Sequence, residues 1–149
     1  MSIIPSSTQR VKLNTKKELN QKIEQKTIDS INKHVDSDTD TLTKRLSELN
    51  HEWDTERFLE ANAATIILIS SVIGYLTEPY WFIVTGFISF FLLQHAVQGW
   101  CPPLPIIRKL GIRTPTEINE EKLAIKYLRG DFSRTESEAA DIMKIVKRD

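Results

Sequence analysis

The stretch ANAATIILISSVIGYLTEPYWFIVTGFISFFLLQHAVQ, residues 61–98, decides the fold. From Ala61 to Thr77 it carries no Asp, Glu, Lys or Arg, and none recurs between Pro79 and Ile107; Glu78 alone interrupts the run. A hydrocarbon core about 30 Å thick takes roughly 17–25 apolar helical residues to cross. Residues 61–77 sit at the short end of that range and residues 80–98 well inside it. Glu78-Pro79 between them stops a helix, because proline lacks an amide donor and disfavours helical geometry in the residue before it. So short a connection makes the two helices antiparallel neighbours, a transmembrane hairpin. Tyr75, Tyr80 and Trp81 flank the turn and Trp100 marks the far end, positions that aromatic rings favour at a headgroup belt. A soluble helix keeps a polar stripe; Ile66 to Ile69 and Phe87 to Leu93 are apolar on every side.

Outward from the hairpin the composition changes abruptly. The 149 residues hold 20 Lys plus Arg against 20 Asp plus Glu, the average of an ordinary soluble domain, yet all but Glu78 of these charges lie in residues 1–60 and 108–149. Lys44, Arg45 and Arg57 precede the hairpin, Arg108, Lys109 and Arg113 follow it, and the turn has no base. The positive-inside rule then places both termini in the cytoplasm. The opening MSIIPSSTQR lacks a basic region followed by an apolar run, so no cleaved secretory signal is expected.

Five regions follow: a basic arm (1–40), a juxtamembrane helix (41–60), the hairpin (61–98), an interfacial segment (99–114) and cytoplasmic helices (115–149). Thr15-Lys16-Lys17-Glu18 reads as a capping box, opening a helix with Leu19, Ile23, Ile28, Ile31 and Val35 on one half of its surface. That helix could lie on anionic headgroups, fold onto the acidic 36–60 stretch, or stay disordered. Leu42, Leu46, Leu49 and Trp53 fall within a stripe about 60° wide at 100° per residue, close to a coiled-coil seam. The stripe wants a partner, either the carboxy-terminal region or the same helix of a second copy. With no breaker in the sequence, this helix is predicted to run unbroken into the first span. After the second span, Gly99-Trp100-Cys101-Pro102-Pro103 redirects the chain, and Ile106 to Leu110 gives a short turn closed by Gly111. Thr114-Pro115-Thr116-Glu117 combines an N-cap, a proline at the first helical position and an acid behind it, with the helix ending at Gly130. Ser133-Arg134-Thr135-Glu136 starts another, carrying Ile142, Met143 and Val146. No segment alternates as a strand, so the chain is expected to be all-α.

Candidate chemistry is sparse. Cys101 is the single cysteine, which excludes an internal disulfide and a multi-cysteine zinc site. It is the one plausible thiol nucleophile, and equally a packing residue or lipidation site. Gln94, His95 and Gln98 form a polar cluster near the cytoplasmic end of the second span, where an ionisable residue invites a functional reading against that of a structural histidine. His34, His51 and His95 have no metal-ligand spacing, and no glycine-rich phosphate loop is present. The basic arm lacks the interleaved aromatics of a single-strand nucleic-acid binder. Ser70 and Gly74 make a small-xxx-small pair, usable within the hairpin or at a dimer seam.

Gly99-Trp100-Cys101-Pro102-Pro103, followed by Ile106-Ile107-Arg108-Lys109-Leu110-Gly111-Ile112-Arg113-Thr114, resembles the signature of the YgaP-like inner-membrane transmembrane domain. Gly99, Cys101, Pro102, Gly111 and Thr114 carry the resemblance, which covers about Trp53 to Thr114. It implies a two-helix module of the bacterial inner membrane, with homodimerisation through the hairpin a further implication. In some members the module is fused to a rhodanese sulfurtransferase, whose loop spaces cysteine and arginine six apart. Here Cys101 and Arg108 are seven apart with no α/β unit around them, so that activity does not carry over.

The expected function is that of a non-enzymatic membrane anchor or adaptor, needing no cofactor. It would sit in the lipid bilayer, bind no nucleic acid, and self-associate or hold a helical protein partner through its cytoplasmic helices. The alternative is a thiol- or sulfur-handling protein using Cys101 with a separate sulfurtransferase. A small oligomeric transporter using His95 comes third, because two helices enclose no pore alone.

Overall fold

The computed structural model describes residues 5–132 and, beyond them, Ile142, Met143, Val146 and Lys147. Among the described residues every regular element is a helix: α1 (Arg10–Leu13), α2 (Lys17–His34), α3 (Thr39–His51), α4 (Thr55–Leu76), α5 (Trp81–Gln98), α6 (Leu104–Lys109) and α7 (Pro115–Arg129). The fold is all-α. It divides into two compact units, Met1–Gln21 with Trp53–Pro115 and Lys22–Glu52 with Thr116–Asp149.

The first unit is built on the hairpin α4–α5. At about 1.5 Å per residue, the 22 residues of α4 and 18 of α5 match the thickness of a hydrocarbon core. Their outward surface is what separates a membrane hairpin from a soluble core: Leu68 is 65% exposed, Ile83 70% and Phe90 61%. In water such a face would be costly, at about 25 cal/mol per Å² of apolar surface; lipid removes that cost. Between the helices, the Ser70 and Thr85 hydroxyls lie 2.7 Å apart in a hydrogen bond. A Cβ on Gly74 would lie 3.3 Å from the Phe82 ring and the Trp81 Cβ. The Ser70/Gly74 pair therefore serves the hairpin's own seam, where small side chains let the backbones approach.

The predicted unbroken helix into the membrane is interrupted. α3 stops at His51, Glu52 and Asp54 are extended (ψ 132° and 171°), and α4 restarts at Thr55. The cause is a side-chain cap that needs neither glycine nor proline: Asp54 Oδ1 accepts from the Arg57 amide at 2.8 Å. The Thr55 amide donates to the Arg113 carbonyl at 2.8 Å, and its buried hydroxyl donates to the same oxygen at 3.0 Å. α4 thus begins where the chain following α6 can satisfy its first free amides. Trp53 leaves the leucine stripe altogether; it is 49% exposed, with the Arg57 guanidinium 4.7 Å from its ring centroid.

The amino-terminal arm is also reassigned. The capping box at Thr15 does not form; its hydroxyl donates back to the Val11 carbonyl at 2.7 Å, and α2 starts at Lys17. α1 seats instead on the carboxy-terminal end of α5. Asn14 Nδ2 donates to the Gln98 carbonyl at 2.8 Å, covering a carbonyl that the helix end leaves free. Gly99 permits this twice over: it takes φ +77°, and a Cβ there would lie 2.6 Å from the Arg10 backbone. Beyond it, α6 packs Leu104 and Ile107 against Val11, Leu59 and Cys101. Arg108 on α6 is buried, giving hydrogen bonds to the Ile112 carbonyl at 2.9 Å and Asn20 Oδ1 at 3.0 Å.

In the second unit, Leu42, Leu46 and Leu49 of α3 pack with Ile118 and Ile125 of α7, with Leu128 alongside. The leucine stripe finds its partner within the chain and is not a free seam for a second copy. Glu121, fully buried in that contact, accepts from Arg45 Nε and Nη2 at 3.0 and 2.9 Å and from the Ser30 hydroxyl at 2.6 Å. α2, predicted to bind lipid, pack or remain disordered, is thereby a packed member of this unit along its later turns. α7 closes at Gly130, at φ +83°. Of the last predicted helix, the start at Ser133 to Glu136 lies outside the described residues; Ile142, Met143 and Val146 are helical and exposed.

Candidate functional site

The open end of the hairpin gathers the first unit's polar chemistry. Glu56 stands in the first turn of α4, where a carboxylate favours the helix dipole. His95 stands on the last turn of α5 and is 3% exposed. His95 Nε2 and Glu56 Oε2 are 3.2 Å apart. The other carboxylate oxygen, Oε1, accepts from Arg10 Nη2 of α1 at 3.0 Å. One acid thus bridges three elements. The Arg10 charge keeps the carboxylate an acceptor, so the imidazole hydrogen on Nε2 is the donor in that pair.

Cys101 completes the group. It is buried among Val11, Leu59, Leu104 and Ile107, and its thiol interacts with the His95 ring. His95 Nδ1 is buried and makes no hydrogen bond. Both residues line a cavity of about 420 Å³ walled by α4, α5 and α6. The imidazole is thus fixed at Nε2 by a carboxylate, and its second nitrogen is enclosed. Such an arrangement can orient the ring and hold a proton between ring and thiol.

The predicted polar cluster of Gln94, His95 and Gln98 is not one site. His95 is buried and meets Glu56 of α4, whereas the Gln98 side chain is exposed. Sequence reasoning missed Glu56 and Arg10. Glu56 had a signal, since it continues the leucine stripe's register as an acid among apolar positions. Arg10 had none, because its partner lies 46 residues away. Of the motif residues, Gly99 and Gly111 take φ of +77° and +81°, Cys101 and Thr114 are buried, and Pro102 lines the cavity mouth. Among the described residues no group of three or more His, Cys, Asp or Glu could hold a metal ion.

Removing the shared acid should be expensive. Glu56→Ala is expected to destabilise the protein in detergent by about 1.5–3 kcal/mol, the worth of hydrogen bonds to charged groups. Arg10→Met should cost less once Glu56 is already gone, which a double-mutant cycle read by thermal unfolding checks. Strict additivity would mean that Arg10 and Glu56 are not coupled.

Residues 54–116 match the family described as inner membrane protein YgaP-like, transmembrane domain. Neither a curated protein nor a solved structure matches the chain. The matched segment starts at the Asp54 cap and ends at the second residue of α7, so it encloses the hairpin, α6 and the Thr55–Arg113 tie. That module is a membrane domain. Two apolar spans in a hairpin, closed by the Gly99–Thr114 segment and matched to this family, make the chain a bilayer-embedded inner-membrane protein carrying a YgaP-like transmembrane domain.

Proposed function

We propose that the protein is a non-enzymatic anchor and adaptor, holding a small folded helical unit at the cytoplasmic face of the inner membrane for a protein partner. One observation carries this reading. The second unit satisfies its own leucine stripe and buried acid, yet Leu123 and Tyr127, a helical turn apart on α7, stand 46% and 74% exposed among the described residues. Aromatic and aliphatic side chains grouped on an ordered helix are common anchors of partner recognition. The cytoplasmic placement rests on the bases flanking the hairpin and their absence from its turn. A second copy of the chain is the other occupant this face would suit.

A second reading has its own support. Cys101 lies against a histidine that a carboxylate holds in place, the setting in which a thiol proton has somewhere to go. On that reading Cys101 would carry sulfur delivered by a separate sulfurtransferase.

One purification separates the two. The full chain is drawn from membranes in mild detergent and its companions are identified by mass spectrometry. The adaptor reading expects a companion, another protein or a second copy, that the Leu123→Glu/Tyr127→Glu variant loses and Cys101→Ser keeps. Identical recovery from the α7 variant would remove it. A sulfurtransferase held by the native chain and lost from Cys101→Ser would favour sulfur handling instead. For the orientation, reporters fused to both termini should read cytoplasmic, and one inserted at Glu78-Pro79 should read periplasmic. Either terminus reading periplasmic would contradict it.

A further inference from the structure

The lipid-facing surface does not end with the hairpin. α6 turns Leu104 and Ile107 into the core of the first unit. It leaves Ile106 and Leu110, four residues apart and so on one face, 64% and 70% exposed. Those two side chains line the same concavity as Ile66 of α4 and Phe87 of α5, which are themselves exposed on the spans. The outer face of α6 is thus continuous with the lipid-facing wall of the hairpin. A water-soluble partner reaching it would have to displace the acyl chains that already surround Ile66 and Phe87. Apolar helix faces at this depth lie at the boundary of headgroups and chains.

Beside that face the charge is positive. The first unit, Met1–Gln21 with Trp53–Pro115, holds eight Lys and Arg against five Asp and Glu, and one of those acids, Glu78, is at the opposite end in the hairpin's turn. Three of the bases are tied to α6 through Asn20. Its side chain accepts from Arg108 at 3.0 Å and donates to the Lys12 carbonyl at 2.9 Å, while its amide donates to the Lys16 carbonyl at 3.1 Å. That link brings Lys12 and Lys16 up to Lys109, the residue after Arg108. None of the three makes an ion pair among the described residues; the acid closest in sequence to Lys16 is Glu18, in the first turn of α2. Long basic side chains keep their stems along apolar surface and their charges at headgroup level, where an anionic leaflet strengthens binding about fivefold per base. From the apolar outer face of α6 and the unpaired bases beside it, we infer that this end of the protein is a docking surface for acidic phospholipid. Acyl chains lie against Ile106 and Leu110, and headgroup phosphates are held by Lys12, Lys16 and Lys109. The surface belongs to the first unit alone and does not depend on the adaptor reading.

The test follows the Ile106 methyl signal by NMR, on the full chain with labelled isoleucine methyls in phosphatidylcholine nanodiscs. That signal should be broadened by a trace of lipid bearing a nitroxide high on its acyl chain and spared by a water-soluble gadolinium chelate. At equal mole fraction, spin-labelled phosphatidylglycerol should relax Ile106 about five times as strongly as spin-labelled phosphatidylcholine, and added salt should shrink that excess. Lys16→Gln/Lys109→Gln should remove most of the excess while the phosphatidylcholine effect stays, which shows α6 still in place. Broadening by the chelate overturns the proposal, as does silence to both probes, the sign of a protein segment covering α6. Equal relaxation by the two lipids overturns it too, and so does an excess that Lys16→Gln/Lys109→Gln leaves intact.

Discussion

A single carboxylate holds the open end of the membrane hairpin together. Glu56 lies half inside an apolar setting where an isolated charge would be untenable, and it resolves this by binding two partners from opposite directions. Its His95 contact joins α4 to α5, and its Arg10 contact draws α1 across their ends. The remaining geometry of this unit follows from that demand. α1 must pass so close to the end of α5 that only glycine fits at position 99, and Asn14 can then cap the Gln98 carbonyl. With α1 in place, Val11 becomes the lid of the small core that buries Cys101 and Leu104. The interhelical hydroxyl contact of Ser70 with Thr85 does the same work deeper in the bilayer, where water offers a polar group no alternative partner.

The second unit repeats the principle among helices that do not span the membrane. Glu121 stands between Ile118 and Ile125 on the buried face of α7 and is fully enclosed. Arg45 and Ser30 supply its hydrogen bonds, which joins α2 and α3 to α7. An ion pair of this kind contributes little net stability, but losing one partner is costly, about 3–5 kcal/mol. Its effect is to select one arrangement of three amphipathic helices over others that would bury the leucines equally well.

The hairpin was legible because composition alone dictates it: an uncharged run long enough to span, broken once at Glu78-Pro79, has no stable alternative in lipid. The helix starting at Pro115 was legible from its local start signal. The break at Glu52 to Asp54 was not, because an aspartate cap looks like any surface acid until the chain near Arg113 is known to meet Thr55. The leucine stripe announced a partner without saying which. The candidate site was half visible. Cys101 and His95 stood out by residue type, but grouping His95 with Gln94 and Gln98 relied on nearness in sequence, whereas a helix sends adjacent residues in different directions. Acids in apolar registers, Glu56 and Glu121, were the overlooked sign: each marks a buried charge whose partner comes from another element.

The most direct test of this account is the distance between His95 and Glu56 in lipid. Dipolar recoupling by solid-state NMR, with ¹⁵N in the His95 ring and ¹³C in the Glu56 carboxyl, measures it on the full chain in bilayers. The account requires a strong coupling at Nε2, matching the 3.2 Å hydrogen bond, and a weaker one at Nδ1. No coupling at either ring nitrogen would mean that the hairpin's open end is not closed by this carboxylate, and the positions of α1 and Gly99 would need another cause.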